Sequence, residues 1–199
     1  MLNNPPVSIF IHYEGFFDFW QAMSIKFEKR GMGFMNRKYK KITWTGILWT
    51  LVLGTLSHFF YEWSHENLLI GLFSPINETV WEHLKLLFFP AFIFFLMEQR
   101  ILGNAIPGLL GKNFLGLFAG LLAMPLLFYG YTCFTGKSVL WVDIGIFCIC
   151  VLITFLLPYQ WRKQRISPFL EKILVRLGML LAVAFVVVSL LELLPVYTN

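Results

Sequence analysis

Five apolar runs follow one another after residue 41, and short polar connections separate them. We predict membrane spans at residues 42–63, 80–102, 114–134, 139–161 and 173–196. Each run has about 20 residues, the length that an α-helix needs to cross the hydrocarbon core of a bilayer. The pattern predicts an all-α fold: a polytopic membrane bundle of five transmembrane helices in one domain over residues 42–196.

Residues 1–41 differ from these runs because charged side chains interrupt their apolar stretches. We interpret them as a basic cytoplasmic N-terminal segment, and two further interpretations stay open. The segment is an amphipathic helix in the membrane interface, or its start is mis-assigned. The second hypothesis rests on Glu28-Lys-Arg-Gly31, which a translated purine-rich ribosome-binding site would encode, followed by Met32 and Met35.

The positions of the basic residues predict the orientation of the spans. With the N-terminus inside, all of the sixteen Lys and Arg residues except Lys85 and Lys137 fall on the inner side. Cytoplasmic connections of membrane proteins carry this excess of Lys and Arg. We therefore predict a cytoplasmic N-terminus and an extracytoplasmic C-terminus.

Composition agrees with a membrane location. Hydrophobic residues make up 58% of the chain and charged residues 14%, whereas soluble domains carry about 25% charged residues. The net charge of +5 follows from topology, so the expected partners are the lipid bilayer and its anionic cytoplasmic lipids, not nucleic acid. A homodimer is an open alternative. The three cysteines have no Cys-x-x-Cys spacing and are predicted to be buried thiols.

Ionisable side chains gather at the predicted outer ends of the first two spans. His58, Glu62 and His65 recur at helical spacing in and just after the first span. Glu78, Glu82 and Lys85 share one face at the start of the second span, and His83 is turned about 100° from Glu82. Ionisable groups inside spans usually face the bundle interior and mark function, so we expect these two faces to meet.

This convergence defines the candidate functional residues. The catalytic candidates are His58, Glu62, Glu78, Glu82, His83, Lys85 and Asp143. The candidate ligands of a divalent metal such as zinc are His58, Glu62, His65, Glu82 and His83, because imidazole and carboxylate groups bind this ion. The identity of any cofactor is left open.

Ordinary structural roles explain part of the same polarity. Ser74-Pro75 resembles a helix cap followed by a proline in the first turn. Glu78 would then favour the helix dipole, and Glu82 with Lys85 would form a simple ion pair. The polar groups are therefore catalytic or structural, and the sequence leaves both interpretations open.

The stretch Pro75-Ile-Asn-Glu-Thr-Val-Trp-Glu-His-Leu-Lys85 resembles the hallmark of an uncharacterised domain-of-unknown-function family. Its members are small multi-pass membrane proteins of bacteria, mainly Firmicutes. The resemblance covers about residues 42–196 and includes Ser57-His-Phe-Phe-Tyr-Glu-Trp63. It implies a bacterial plasma-membrane location and no known activity.

Three functions of different classes fit these observations. The first is a hydrolase or transferase that acts on a lipid at the outer leaflet, with a metal-activated water or with a histidine and a carboxylate as general base and acid. The second is a non-catalytic membrane subunit or immunity-type protein. The third is an ion-coupled transporter of small solutes. Whether the chain is an enzyme stays open at this point.

Overall fold

A computed structural model describes the backbone of residues 8–103 and 105–198 and the side chains of residues 36–103 and 105–194. Every regular element in the described residues is helical, which confirms the all-α prediction. The helices are α1 (Ser8–Trp63), α2 (Leu68–Gly71), α3 (Val80–Leu102), α4 (Leu109–Thr135), α5 (Leu140–Gln160) and α6 (Pro168–Thr198), with a 3-10 turn at Trp161–Lys163.

Five of these segments are long and apolar enough to cross a membrane, which confirms the predicted multi-pass bundle. They are Asn36–Trp63, Val80–Leu102, Leu109–Thr135, Leu140–Lys163 and Pro168–Leu194. The third span starts earlier than its apolar run because Lys112 lies inside the helix. Its ammonium group donates to the carbonyl oxygens of Pro107 at 3.1 Å and Arg162 at 3.2 Å. The orientation of the termini stays a prediction.

The chain divides into two compact units, residues 1–41 and 42–199. The first unit is helical from Ser8 onward. The interfacial-helix hypothesis depends on the side chains of residues 1–35, which lie outside the described residues. That hypothesis and the one about the start of the chain therefore stay predictions.

In the second unit, α3 is the central helix. In its most apolar window 56% of the residues are buried, against 33% or less in the other spans. Its aromatic rings pack against those of neighbouring helices. The ring centroid of Phe88 lies 5.1 Å from that of Phe185 of α6, and the ring centroid of Phe95 lies 5.0 Å from that of Phe155 of α5. The three cysteines were predicted to be buried. Cys150 is buried and Cys148 is partly buried, but the prediction is wrong for Cys133, which is exposed.

Two internal prolines coincide with close helix packing. Pro90 has no N–H group to offer the Leu86 carbonyl, and a Cβ atom on Gly54 of α1 would collide with that carbonyl oxygen. Pro158 likewise has no N–H group to offer the Thr154 carbonyl of α5. A Cβ atom on Gly116 of α4 would collide with that carbonyl oxygen. Glycine therefore allows α1 and α4 to approach the backbones of α3 and α5.

The start of α3 differs from the capping interpretation of Ser74-Pro75, which is wrong. The helix begins at Val80, and Thr79 is its N-cap residue. The Thr79 hydroxyl accepts a hydrogen bond from the Glu82 backbone N–H at 3.4 Å. The Ser74 hydroxyl instead donates to the Ile70 carbonyl at 2.7 Å, so it closes α2 and does not open α3.

Candidate functional site

His58, Glu78 and His83 form a compact group of possible metal ligands. One ligand atom from each lies within 4.8 Å of the others. The Nε2 atom of His58 is 3.8 Å from one carboxylate oxygen of Glu78, and Nε2 of His83 is 3.4 Å from the other. The two imidazole rings have centroids 5.3 Å apart. We call these three residues the His–Glu–His group.

Three local structures bring the group together. His58 lies near the C-terminal end of α1, Glu78 directly precedes the Thr79 cap, and His83 lies in the first turns of α3. The Nδ1 atom of His83 is 2.9 Å from the Thr79 carbonyl oxygen. Because a carbonyl oxygen can only accept, Nδ1 carries the proton, and the lone pair of the neutral ring is on Nε2. Metal-binding histidines are commonly oriented by such a bond.

The group is accessible from outside the protein. The side chain of Glu78 is 82% exposed, and each histidine side chain is 32% exposed. The Nδ1 atom of His58 is buried and has no hydrogen-bond partner among the described residues. An exposed carboxylate between two half-buried imidazoles leaves room for a further ligand beside the protein groups.

A cavity of about 350 Å³ adjoins the group. Its lining residues come from α3, α4, α5 and the connections that precede α3 and α5: Glu78, Val80, His83, Leu86, Met124, Phe128, Ser138, Asp143, Ile146 and Phe147. Asp143 accepts a hydrogen bond from the Tyr131 hydroxyl, which in turn accepts from the Val139 backbone N–H at 3.0 Å. These bonds fix the position of the Asp143 carboxylate, which lines the cavity.

Glu82 and Lys85 form a second polar group, which is entirely buried. Both side chains have 0% exposure, and their charged atoms are 2.5 Å apart. The same carboxylate oxygen accepts from the Ile76 backbone N–H at 3.0 Å. Lys85 also donates to the Ser189 hydroxyl of α6 and to the carbonyl oxygens of Gly71 and Ser74, each at 3.4 Å. We call Glu82, Lys85 and Ser189 the buried network.

The candidate residues from the sequence therefore form two groups, and the membership of these groups differs from the expectation. We expected the face of His58 and Glu62 to meet the face of Glu78, Glu82 and Lys85. His58 does lie beside Glu78 of that face, but the third member of the group is His83 and not Glu82. Glu82 turns inward to Lys85, as its angular separation from His83 on the helix allows. Glu62 is exposed and does not belong to the His–Glu–His group.

His65 also lies outside the group. The helix α1 ends at Trp63, so helical spacing does not extend to His65. This residue is exposed and has a left-handed backbone with φ of 56°. Of the five residues predicted as metal ligands, the His–Glu–His group contains His58 and His83, and its third member, Glu78, comes from the catalytic candidates.

The sequence did not indicate that Thr79 positions His83 or that Ser189 binds Lys85. The carbonyl and hydroxyl of Thr79 position His83 and cap α3, and the spacing Thr79-x-x-Glu82 is a capping-box signal that could have located this start. The Ser189 hydroxyl accepts a hydrogen bond from the Lys85 ammonium group, although the two residues are 104 positions apart in the sequence. No local pattern in the sequence connects residues so far apart.

A model of one protein family matches residues 32–198 of the chain. The chain belongs to DUF6512, a family of unknown function. The match covers the five candidate membrane spans of the described residues and both polar groups. It confirms the predicted resemblance to an uncharacterised family. No curated protein and no solved structure matches the chain. Membership in DUF6512 therefore supplies no activity, and function has to be argued from the site.

Proposed function

We propose that this DUF6512 protein is a metal-dependent hydrolase of membrane lipids, with a divalent cation such as zinc held by the His–Glu–His group. The observation that carries the proposal is the convergence of three ligand atoms within 4.8 Å beside a cavity. Two imidazoles and one carboxylate are a known ligand set of catalytic zinc, which keeps a fourth position open for water.

The distances support a common ion. Zinc binds histidine nitrogen and carboxylate oxygen at about 2.0–2.2 Å, so tetrahedral ligand atoms lie about 3.3–3.6 Å from each other. The two separations between histidine nitrogens and Glu78 oxygens are 3.4 and 3.8 Å. Small side-chain movements would therefore complete the site, and the Thr79 carbonyl already orients His83.

The chemistry of the proposal divides between the ion and the cavity. Zinc with an open position supplies a nucleophilic water at neutral pH. Asp143 lines the same cavity and would accept a proton from that water, while Tyr131 orients its carboxylate. The proposal places this reaction at the outer face of the bacterial plasma membrane, with anionic lipids at the inner face. A homodimer stays a prediction.

The buried network favours a structural role for two of the catalytic candidates. Glu82 and Lys85 neutralise each other without access to solvent, which fits the alternative of a non-catalytic membrane subunit as far as these residues go. That alternative gives no reason for the His–Glu–His group beside the cavity. The transporter hypothesis stays a prediction without a supporting observation among the described residues.

Metal binding to the purified protein tests the proposal. After treatment with EDTA, the protein is titrated with zinc, and affinity is measured by competition with a zinc indicator. His58→Ala and His83→Ala each remove a ligand, so we expect the Kd to rise by more than about 100-fold, since loss of an outer-shell partner alone costs about 10–100-fold. Zinc should also restore hydrolysis of a membrane lipid extract.

The matched control is His65→Asn, because His65 is an exposed histidine outside the group and asparagine tolerates its left-handed backbone. This variant should bind zinc like the unaltered protein. If the unaltered protein binds no zinc, or if all three variants bind it equally well, the proposed metal site is refuted. Zinc binding without any zinc-dependent lipid hydrolysis would refute the catalytic part.

A further inference from the structure

We propose that the cavity beside the His–Glu–His group accepts one fatty acyl chain, and that the bond hydrolysed is an uncharged carboxylic ester, not a phosphate ester. The inference rests on the proposed zinc hydrolase and names its substrate class. It follows from two properties of the cavity: the apolar character of most of its lining residues and the sign of the charges on its polar lining residues.

The walls are apolar and come from three helices. Leu86 of α3, Met124 and Phe128 of α4, and Ile146 and Phe147 of α5 line the cavity. Its volume of about 350 Å³ is at the lower end of the range of about 300–1,000 Å³ for small-molecule sites. The space therefore suits a single chain with its scissile group, and the surrounding bilayer is a source of such chains.

The polar residues that line the cavity include two acids and no base stronger than histidine. Glu78, His83, Ser138 and Asp143 are the polar lining residues, and none of the ten lining residues is Lys or Arg. Phosphoryl transfer depends on cationic groups that clamp the phosphate oxygens. One divalent ion would be neutralised formally by Glu78 and Asp143, so an anionic phosphate would find no net positive charge. An uncharged ester carbonyl needs none.

The reaction balances with water as the only co-reactant. The water oxygen forms a bond to the acyl carbon, and the bond between that carbon and the alkoxy oxygen breaks. Asp143 accepts a proton from the water and returns one to the departing alkoxy oxygen. The products are a fatty acid and an alcohol, and Asp143 is regenerated.

Matched chromogenic substrates test the substrate class on the zinc-loaded protein. One series consists of p-nitrophenyl esters of straight-chain acids of increasing length, and the other of p-nitrophenyl alkyl phosphates with the same chains. We expect kcat/KM for the esters to rise about three- to fourfold with each methylene transferred from water, until the cavity is full. Relative to the uncatalysed rate of each substrate, the protein should accelerate the phosphates more than about tenfold less than the esters, because the cavity offers no cationic clamp for phosphate oxygens.

Cavity variants test where the chain binds. Met124→Phe and Ile146→Phe reduce the cavity, so the longest chain that still gains rate should become shorter. Phe128→Ala enlarges the cavity and should shift this limit to longer chains, which keeps the test decisive if a larger side chain prevents folding. Leu122→Phe is the matched control, because Leu122 lies on the same helix but is 63% exposed and does not line the cavity.

Failure of this inference is distinguishable from failure of the proposed function. Zinc-dependent and His58-dependent hydrolysis that favours the phosphates, or a length limit unmoved by every cavity variant, would overturn the acyl-ester inference alone. A protein that binds no zinc would instead overturn the proposed function. A zinc affinity that is unchanged in the cavity variants shows that they retain the fold at the site.

Discussion

The His–Glu–His group and the buried network each take two residues from the same short stretch of sequence, residues 78–85, but have opposite environments. The side chain of Glu78 is 82% exposed, whereas that of Glu82, four residues later, is fully buried. His83 and Lys85 are two residues apart and differ in the same way, because the His83 side chain is 32% exposed and the Lys85 side chain is fully buried. A single polar motif therefore contains two structures, one directed outward to a cavity and one directed inward to the core.

Helix geometry and capping produce this division. The Thr79 cap sets where α3 begins, and from there successive residues point in directions about 100° apart. Glu82 and Lys85 face α6 and the segment that precedes the cap, whose backbone supplies their remaining partners. His83 faces α1 and meets His58.

The buried network also positions the exposed group. Glu82 binds the Ile76 backbone N–H, and Lys85 binds the carbonyl oxygens of Gly71 and Ser74. The segment that carries Glu78 is therefore attached to the core on its inner side. Asn77, which precedes Glu78, donates to the Glu192 carboxylate of α6 at 2.8 Å. The comparison thus predicts large stability effects for the inner group and small ones for the outer group.

The largest effect is expected from Lys85→Met. This change leaves the Glu82 carboxylate buried without its cation, and breaking a buried ion pair costs about 3–5 kcal/mol. The free energy of unfolding, measured in detergent by circular dichroism against denaturant, should fall by that amount. The double variant Glu82→Gln with Lys85→Met removes both charges and should recover most of the loss.

Lys137→Met is the control for this experiment, because Lys137 is an exposed lysine whose replacement should change stability by no more than about 0.5 kcal/mol. If Lys85→Met were as mild as this control, the division into an inner structural group and an outer binding group would fail. If the double variant stayed as unstable as the single one, the ionic explanation would fail.

A smaller loss is expected from Ser189→Ala. This change removes one acceptor of the Lys85 ammonium but leaves Glu82 in place. Hydrogen bonds between membrane helices contribute at most about 1.7 kcal/mol, and a charged donor favours the upper part of that range. We therefore expect a loss of about 1–1.7 kcal/mol in the same unfolding experiment. Ser138→Ala, at an exposed serine, is the matched control, and equal effects of the two would exclude Ser189 from the network.

The fold was predictable from the sequence to the extent that it depends on local signals. Apolar length predicted five spans, and the second, Val80–Leu102, was predicted at its observed bounds. The first span was likewise predicted to end at Trp63, where α1 ends. The expectation that helical spacing continues to His65 failed, because His65 and Glu66 adopt left-handed backbones with φ of 56° and 60°. Non-glycine residues rarely adopt this conformation, and no residue pattern signals it.

The partners within the site were less predictable than its members. His58, Glu78, His83, Glu82 and Lys85 were all candidates on the basis of residue type and predicted depth. Helical spacing describes one helix at a time, so it could not show that Glu82 would meet the Ile76 backbone or that Lys85 would meet Ser189. Those contacts depend on how the α2–α3 connection and α6 pack, which only the three-dimensional structure shows.

The smallest effect on intrinsic stability is expected from Glu78→Gln, and it tests the comparison most sharply. Without metal, replacement of this exposed carboxylate should change the free energy of unfolding by no more than about 0.5 kcal/mol. With free zinc at about 100 times the Kd, the unaltered protein should gain about 2.7 kcal/mol, and the variant should lose this gain because it lacks the carboxylate ligand. A large loss in the absence of metal would instead assign Glu78 to the structural group, since stability that depends on zinc identifies a binding site and stability without zinc identifies a part of the core.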